Sequence, residues 1–234
     1  MIPKIIWQTH EWEWDNLPEK FKIQSGTWKE KNPDWVYRYC SKEKRLEHME
    51  RFGRKYLETY LLINNKVMQA DFWRYSVIYN FGGIYIDMDT MCTEDNFLNN
   101  RVSLDKELVT SGNYDNINSS NNAFFAAEKK SEFLKNFIDL VINNIKEQFK
   151  INKINVGNAI DKTTGPTIWS TEIRKYIEKL IVIHGYENSR AVNRIELGLN
   201  IPHGHQFKLE SEILGLNKLQ KNKGSCVCCG RPFK

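Results

Sequence analysis

An α/β fold follows from three features of the sequence. A long helical pattern over residues 65–80 stops at Gly82-Gly83; a short apolar strand, Ile84-Tyr85-Ile86, comes directly after it; and that strand ends in two carboxylates, Asp87 and Asp89. A helix, a tight glycine turn and an apolar strand finishing in acids put the chemistry at a strand end, where open α/β sheets carry their sites. The 234 residues suit one domain, expected over 1–215, followed by a Lys- and Cys-rich tail over 216–234.

The elements follow in order. Lys4 to Gln8 reads as a short buried strand, and Asp34 to Cys40 as a second after the turn signal Asn32-Pro33. Ser41 is placed to cap a short helix carrying Leu46, Met49 and Phe52 and stopping at Gly53. Tyr56, Leu57, Tyr60 and Leu61 repeat at helical spacing. In the helix over 65–80, Val67, Ala70, Arg74 and Ile78 share a face that Phe81 extends, and Asp71 lies three residues before Arg74, within side-chain reach. Leu108-Val-Thr110 and Ala123 to Ala127 are expected strands, with the polar, Asn-rich stretch from Ser111 to Asn122 a loop over the site. Ser131 to Phe149 forms an amphipathic helix, Pro166 opens another through Ile177, and Leu180 to Ile183 reads as a late strand with His184 at its end.

Composition excludes several function classes. At 41% hydrophobic and 27% charged residues, the chain can fold around a core and is neither disordered nor fibrous. No apolar run approaches the roughly 20 residues that span a bilayer, and the start, Met1-Ile-Pro-Lys-Ile-Ile-Trp7, lacks a secretory n-region and apolar stretch. The net charge of +5 is spread along the chain, which favours anionic ligands but not nucleic acid. The cysteine count is odd, with Cys40 and Cys92 far from Cys226, Cys228 and Cys229, so a reducing compartment and free tail thiols are expected rather than disulfides or a zinc site.

Side chains two apart on a strand point the same way, so Asp87 and Asp89 are expected to present oxygens to one site. Two carboxylates in one place repel unless a cation lies between them. Hard divalent ions, Mn²⁺ or Mg²⁺, take such oxygens and complete their shell with substrate phosphates. Haloacid dehalogenase-type phosphatases also place Asp-x-Asp after an apolar strand. That motif wants Thr or Val two residues after the second acid, where Met91 stands, and the later acidic Gly-Asp motif is missing.

Five ordered motifs then carry a resemblance: Ile2-Pro-Lys-Ile-Ile-Trp-Gln-Thr9, Asn32-Pro-Asp-Trp35, Ala70-Asp-Phe-Trp-Arg-Tyr75, Gly82-Gly-Ile-Tyr-Ile-Asp-Met-Asp-Thr90 and Thr164-Gly-Pro166. Over residues 2–170 the chain resembles the glycosyltransferases with a DXD sugar-binding region, family 32, the family of the yeast initiating α-1,6-mannosyltransferase and of capsular polysaccharide glycosyltransferases. The resemblance implies a GT-A fold, a UDP- or GDP-linked sugar donor, a Mn²⁺ or Mg²⁺ ion and retention of anomeric configuration. By the same resemblance, Ile6, Trp7 and Gln8 line the nucleoside pocket, Asp71 holds donor-sugar hydroxyls, and Arg74 contacts sugar or phosphate. Asp87 lies near ribose and metal, and Asp89 binds the metal directly, so that Asp71, Arg74, Asp87 and Asp89 form the catalytic set. Gly82, Gly83 and Tyr85 of the same motif, Asn122 before Ala123, and Thr164, Gly165 and Pro166 across the cleft complete the donor-binding residues.

The residues read by themselves agree with this. Arg74 is a permanent cation able to grip a phosphate through two N–H groups, and Asp71 can orient it or bind sugar hydroxyls beside it. The alternative for the pair is a helix-surface salt bridge of little worth. The C-terminal part departs from the family, which ends in a His-rich segment and a Ser-Trp; no Trp follows Trp169. His203 and His205 are the nearest substitutes as metal ligands, or else loop histidines. Trp12 and Trp14 follow the first strand in a polar loop, where they stack on a base or sugar or else pack; Trp35, Trp73 and Trp169 belong to the core or cleft wall.

Together these observations predict a metal-dependent retaining transferase acting on a glycan, glycolipid or protein acceptor. The alternative is a non-catalytic sugar-nucleotide or glycan-binding protein derived from such an enzyme. With the first strand starting at residue 2, no room remains for an anchor and stem, so a cytoplasmic location is expected (the host cytosol for a viral source), with peripheral membrane contact through the basic surface.

Overall fold

A computed structural model describes residues 1–113, 116–151, 158–184 and 195–199. The chain runs β1 (Ile5–Thr9), a 3₁₀ turn (Trp14–Asn16), α1 (Glu19–Lys31), β2 (Val36–Cys40), α2 (Lys42–Phe52), α3 (Arg54–Leu62), α4 (Lys66–Phe81) and β3 (Gly83–Ile86). It continues through α5 (Phe97–Arg101), β4 (Leu108–Asn113), β5 (Asn116–Ala127), α6 (Glu132–Lys150), α7 (Asn158–Thr163), α8 (Pro166–His184) and β6 (Ile195–Leu199). The strands form one mixed sheet in the order β2-β1-β3-β5-β4-β6. β1 pairs parallel with β2 and β3, β5 runs antiparallel to both β3 and β4, and β4 is parallel to β6.

Both faces of the sheet are covered, and the alternation of side chains decides which residues serve which core. Ile6, Ile84, Ile86, Val109, Phe124 and Ala126 face a core closed by Trp28 of α1 and Leu98 of α5. Their neighbours Trp7, Tyr85, Leu108, Phe125 and Ala127 face the larger core built with α2, α3, α4, α6 and α8. Trp169 of α8 lies over β5, its ring 4.6 Å from Phe125, and its indole N–H donates to Thr110 Oγ1 at 3.2 Å. Among the described residues no helix is long and apolar enough to cross a membrane.

Local signals account for several boundaries. Ser41 Oγ accepts from the Lys44 N–H and so starts α2, and Asn65 Oδ1 accepts from the Val67 and Met68 N–H groups to start α4. Gly82 and Gly83 end α4 with φ of 72° and 106°, a region side chains disfavour. A Cβ on Gly83 would also sit 2.5 Å from the Ile5 carbonyl oxygen, so glycine lets β3 approach β1.

The structure corrects three expectations. Residues 180–183 belong to α8, which runs on to His184, because the apolar run continues the spacing of Ile173 and Ile177; four apolar residues alone do not separate strand from helix. Residues 111–113 and 116–122 are not a loop: they belong to β4 and β5, which pair with a register shift between Thr110 and Ser111. Phe124 and Phe125, locked against β3, draw the weak strand formers before them into the ladder. α4 is buried nearly all round, from Asp71 to Ile78, and has no single apolar stripe. The expected tail over 216–234, with Cys226, Cys228 and Cys229, lies outside the described residues, as do His203 and His205.

Candidate functional site

The parallel strands β1 and β3 bring Thr9 and Asp87 to the same edge of the sheet, and a cleft of about 470 Å³ opens there. Its wall comprises Thr9 to Trp12 after β1, Pro18, Lys20 and Phe21 of the next segment, Arg45 of α2, Lys66, Val67, Ala70 and Arg74 of α4, and Tyr85, Asp87, Met88 and Asp89.

Asp87 and Asp89 both line this cleft, but not as alternate residues of a strand. β3 ends at Ile86, and Asp87 to Thr90 form a turn in which the Thr90 N–H and Oγ1 both donate to the Asp87 carbonyl, at 3.3 and 2.7 Å. The turn is held from three sides. Gln8 Nε2 donates to the Asp87 carbonyl at 3.2 Å while Gln8 Oε1 accepts from the Tyr37 hydroxyl at 2.9 Å. Gln24 Nε2 donates to the Asp89 carbonyl at 3.3 Å, and the Trp28 indole donates to the Thr90 carbonyl at 3.1 Å.

Arg74 is the centre of the charged network. Its Nη2 lies 3.1 Å from Asp71 Oδ1, and its Nη1 lies 3.3 Å from Asp87 Oδ1 and 2.9 Å from the Asn122 carbonyl it donates to. The guanidinium also sits over the Tyr85 ring, 4.3 Å from its centroid, and the Tyr85 hydroxyl donates to Asp87 Oδ1 at 2.6 Å. Burial opposes the arginine's charge, but Asp87, Tyr85 and Asp71 outweigh it and raise its pKa further. All three charged residues are buried, so the pair Asp71–Arg74 is not a helix-surface salt bridge. Nη1 is committed to Asp87 and the Asn122 carbonyl and Nη2 faces Asp71, whereas Nε is buried without a partner and remains for a ligand.

Asp71 is fully engaged. Oδ1 accepts from Arg74 and from Asn122 Nδ2 at 3.1 Å, and Oδ2 accepts from Thr164 Oγ1 at 2.9 Å. Burial pushes its carboxyl up to about 7, against the lowering effects of Arg74, Thr164 and Asn122. Both its oxygens thus have partners within the protein, and it is not among the cleft-lining residues.

The other sequence-derived site residues divide cleanly. Tyr85 reaches the cleft. Gln8, Asn122 and Thr164 are buried behind it and act through Asp87 or Asp71. Ile6 and Trp7 are core residues, the Trp7 indole donating to the Gly82 carbonyl at 3.0 Å. Gly82 and Gly83 stand at the opposite end of β3 from the acids. Gly165 packs against Asp161, where a Cβ would meet a backbone atom at 2.9 Å, and Pro166 is the first residue of α8.

Sequence reasoning missed Thr9, His10, Glu11, Lys20, Phe21, Arg45 and Lys66 as cleft residues. Arg45 is fully buried, with Nη1 donating to Thr9 Oγ1 at 2.8 Å and to the His10 carbonyl at 3.1 Å, Nε donating to the Tyr60 hydroxyl at 3.2 Å, and Nη2 paired with Glu11. Nothing in the run Lys42-Glu-Lys-Arg45 sets it apart from exposed neighbours. For His10 the one available signal was its place directly after β1; Phe21, whose ring lies 4.8 Å from it, comes from α1 and had none.

The fit to a divalent ion rests on one atom. Asp87 Oδ1 is taken by Tyr85 and Arg74, while Oδ2 is buried with no partner in the protein. An acceptor left unsatisfied at a cleft wall beside a second carboxylate suits a hard cation. Among the described residues no third His, Cys, Asp or Glu joins them.

Known proteins share both sequence and fold with this chain. The family profile described as glycosyltransferase sugar-binding region containing DXD motif matches residues 18–109. The initiation-specific alpha-1,6-mannosyltransferase of Saccharomyces cerevisiae is 30% identical over 122 residues, 46% of this chain and 25% of that protein. Inositol phosphoceramide mannosyltransferase 3 of Schizosaccharomyces pombe is 33% identical over 91 residues, 39% of this chain and 25% of that protein. The matched stretch thus spans about a quarter of the length of these relatives. Among solved structures, the PaToxG glycosyltransferase superposes with a TM-score of 0.56 at 18% identity, covering 94% of this chain and 81% of that one. The ligand-free glycosyltransferase domain of the YGT toxin gives 0.60 at 10% identity, covering 87% and 81%. The sheet order, the cleft at the ends of β1 and β3 and the acids that line it are those of a GT-A fold, and residues 18–109 are similar to the sugar-binding region of the DXD glycosyltransferases.

Proposed function

We propose that the chain transfers a hexose from a UDP- or GDP-linked sugar to a glycan, glycolipid or protein acceptor, with retention of configuration. The observation that carries this is the pair of open valences in the cleft: the Asp87 Oδ2 acceptor and the Arg74 Nε donor, both buried, both unpartnered, on side chains that touch each other. An anionic donor that brings its own cation satisfies both at once.

Asp87 Oδ2 and Asp89 would hold the Mn²⁺ or Mg²⁺ ion, whose contribution is to offset the charge of the donor diphosphate. The chain's own part is positioning and electrostatics. Arg74 Nε donates to the phosphate that leaves, and its Nη groups, fixed by Asp71, Asp87 and Asn122, keep the guanidinium from turning away. His10 and Phe21, whose rings lie 4.8 Å apart, give the cleft an aromatic patch suited to a base. The acceptor hydroxyl attacks the anomeric carbon on the face the phosphate leaves; the new C–O bond forms as the C–O bond to phosphate breaks. The departing phosphate takes the hydroxyl proton, so no base is required of the chain. A solved relative of the fold is described as the UDP-bound domain of the YGT toxin, which favours trying UDP-sugars first.

The test is release of UDP or GDP from a panel of nucleotide sugars with Mn²⁺, for the wild type and Asp89→Ala. Transfer should be abolished by the substitution while the melting temperature is kept. Transfer at the wild-type rate in Asp89→Ala would overturn the metal assignment, and absence of turnover with every donor would leave the binding-protein alternative.

A further inference from the structure

The cleft uses only part of the run Glu11-Trp12-Glu13-Trp14-Asp15 that leads from β1 toward α1. Trp12 lines the cleft and Trp14 does not. Both indoles are open to water, Trp12 at 48% and Trp14 at 37%, whereas Trp7, Trp28, Trp35, Trp73 and Trp169 are all buried. Exposed indole surface is costly, and two such rings, one on the cleft wall and one two residues further along the chain, point to a binding surface.

The exposure does not come from a slack loop. The Tyr39 hydroxyl donates to the Trp12 carbonyl, Ser41 Oγ donates to Glu13 Oε1 at 2.6 Å, and Lys22 Nζ donates to the Asp15 carbonyl at 3.1 Å. The Asn16 N–H closes a turn on the Glu13 carbonyl at 3.0 Å. The Trp14 ring rests edge-on against Tyr39 and Tyr37, with centroids 5.2 and 6.2 Å away. The backbone and one ring edge are thus fixed in advance, so a ligand meets an ordered surface.

Charge decides what kind of ligand fits. Residues 10–17 carry three carboxylates and no lysine or arginine, although the whole chain is basic. Glu11 is paired with Arg45, and Lys22 is held at the Asp15 carbonyl, so the exposed rim at Glu13 and Asp15 offers hydrogen-bond acceptors rather than a cationic patch for phosphates, nucleic acid or anionic lipid. A neutral saccharide fits such a rim: its ring C–H groups carry partial positive charge that suits the negative face of an indole, and its hydroxyls can donate to Glu13 and Asp15. We propose that the Trp12–Trp14 rim is a neutral-saccharide site, adjoining the donor cleft where an acceptor sugar would have to stand. Its role as the acceptor site rests on the proposed function; saccharide binding itself does not.

The experiment uses the full chain with Mn²⁺ and three neutral probes, maltotriose, mannobiose and lactose, followed by tryptophan fluorescence and saturation-transfer NMR, with UDP and GDP titrated in parallel by calorimetry. At least one saccharide is expected to bind, Trp14→Ala to weaken it about tenfold, and Trp14→Phe to recover part of the loss. Nucleotide affinity should stay within about twofold, and far-UV dichroism verifies that both variants are folded. The proposal is overturned if no probe binds at about 10 mM, if Trp14→Ala binds saccharide as the wild type does, or if it loses nucleotide in equal measure. Trp14-dependent binding to phosphatidylcholine vesicles with none to saccharides overturns it too. Saccharide binding in a chain that binds neither nucleotide nor Mn²⁺ upholds the rim and overturns the donor reading instead.

Discussion

Tyr85 and Asp87 are joined by a 2.6 Å hydrogen bond from the tyrosine hydroxyl to Oδ1, the same oxygen that Arg74 Nη1 approaches at 3.3 Å. The carboxylate is thereby turned so that Oδ2, alone of its two oxygens, is left for a ligand. On the proposed function, Tyr85 would act on the cation through Asp87, as a positioning residue. Groups behind a metal ligand typically change affinity by 10- to 100-fold. Tyr85→Phe should therefore weaken Mn²⁺ binding about tenfold, read by electron paramagnetic resonance of the free ion, with the fold kept because the ring still supports Arg74. Unchanged Mn²⁺ affinity would remove Tyr85 from this role.

Asp71 gives the protein a pH signature. Its carboxyl is pushed up from 3.8 to about 7, chiefly by burial, so the folded state holds a proton that the unfolded chain has released. Where the native state binds more protons, stability falls as pH rises. The stability contribution is present below pH 3.8 and is lost progressively as pH climbs to about 7. Asp71→Asn should flatten that slope, since the amide oxygen still accepts from Arg74 and Asn122 and its NH₂ can donate to Thr164 Oγ1. Urea unfolding at intervals across this range checks it; an unaltered slope would exclude Asp71 as its source.

How much was legible in the sequence depends on what each residue answers to. The helix expected over 65–80 and found over 66–81, the Gly82-Gly83 stop and the apolar strand before the acids are set locally, by spacing and backbone freedom, and the structure has all of them. α1 was not legible: of its buried residues Phe21, Ser25 and Trp28 only two are apolar, and Ser25-Gly26-Thr27 reads as a break. It is held instead by distant contacts, among them the Trp28 bond to Thr90. The same holds within the site. Asp87 and Asp89 announce themselves by position, whereas the turn that presents them depends on Gln8, Gln24 and Trp28, each more than 60 positions away in the chain.

Arg45 ties α2 and α3 to the end of β1 and carries a larger structural burden than its sequence context suggests. Its partners are Thr9, His10, Glu11 and Tyr60, and it is fully buried. Removing one member of a buried ion pair leaves the other desolvated and uncompensated, which costs about 3–5 kcal/mol. Arg45→Met, close in volume, should lower stability by about 3 kcal/mol, because Glu11 can turn partly to water. Chemical denaturation measures the loss. A change below about 0.5 kcal/mol would place this cluster among surface-like pairs.

His48 contributes a slope of the opposite sign. Its ring stacks on Trp73 with centroids 6.1 Å apart and an interplanar angle of 3°, and its Nδ1 accepts the Trp73 indole N–H at 3.2 Å. Burial lowers its pKa below 6.5, helped by Arg51 and Lys44 and opposed by Glu47. The folded state thus keeps the imidazole neutral at pH values where the unfolded chain has already taken up a proton, and stability falls as pH drops below 6.5. Protonation at Nδ1 would also turn the acceptor for Trp73 into a second donor, so the charged form loses a hydrogen bond as well as its hydration. With Asp71→Asn as background, the acid-side loss should be shared by His48 and His10, whose pKa burial also lowers, and adding His48→Asn should reduce it while the amide oxygen continues to accept from Trp73. Thermal unfolding of the single and double variants between pH 5 and 8 separates Asp71 from His48; a double variant that keeps the acid-side slope undiminished would show that His48 does not carry it.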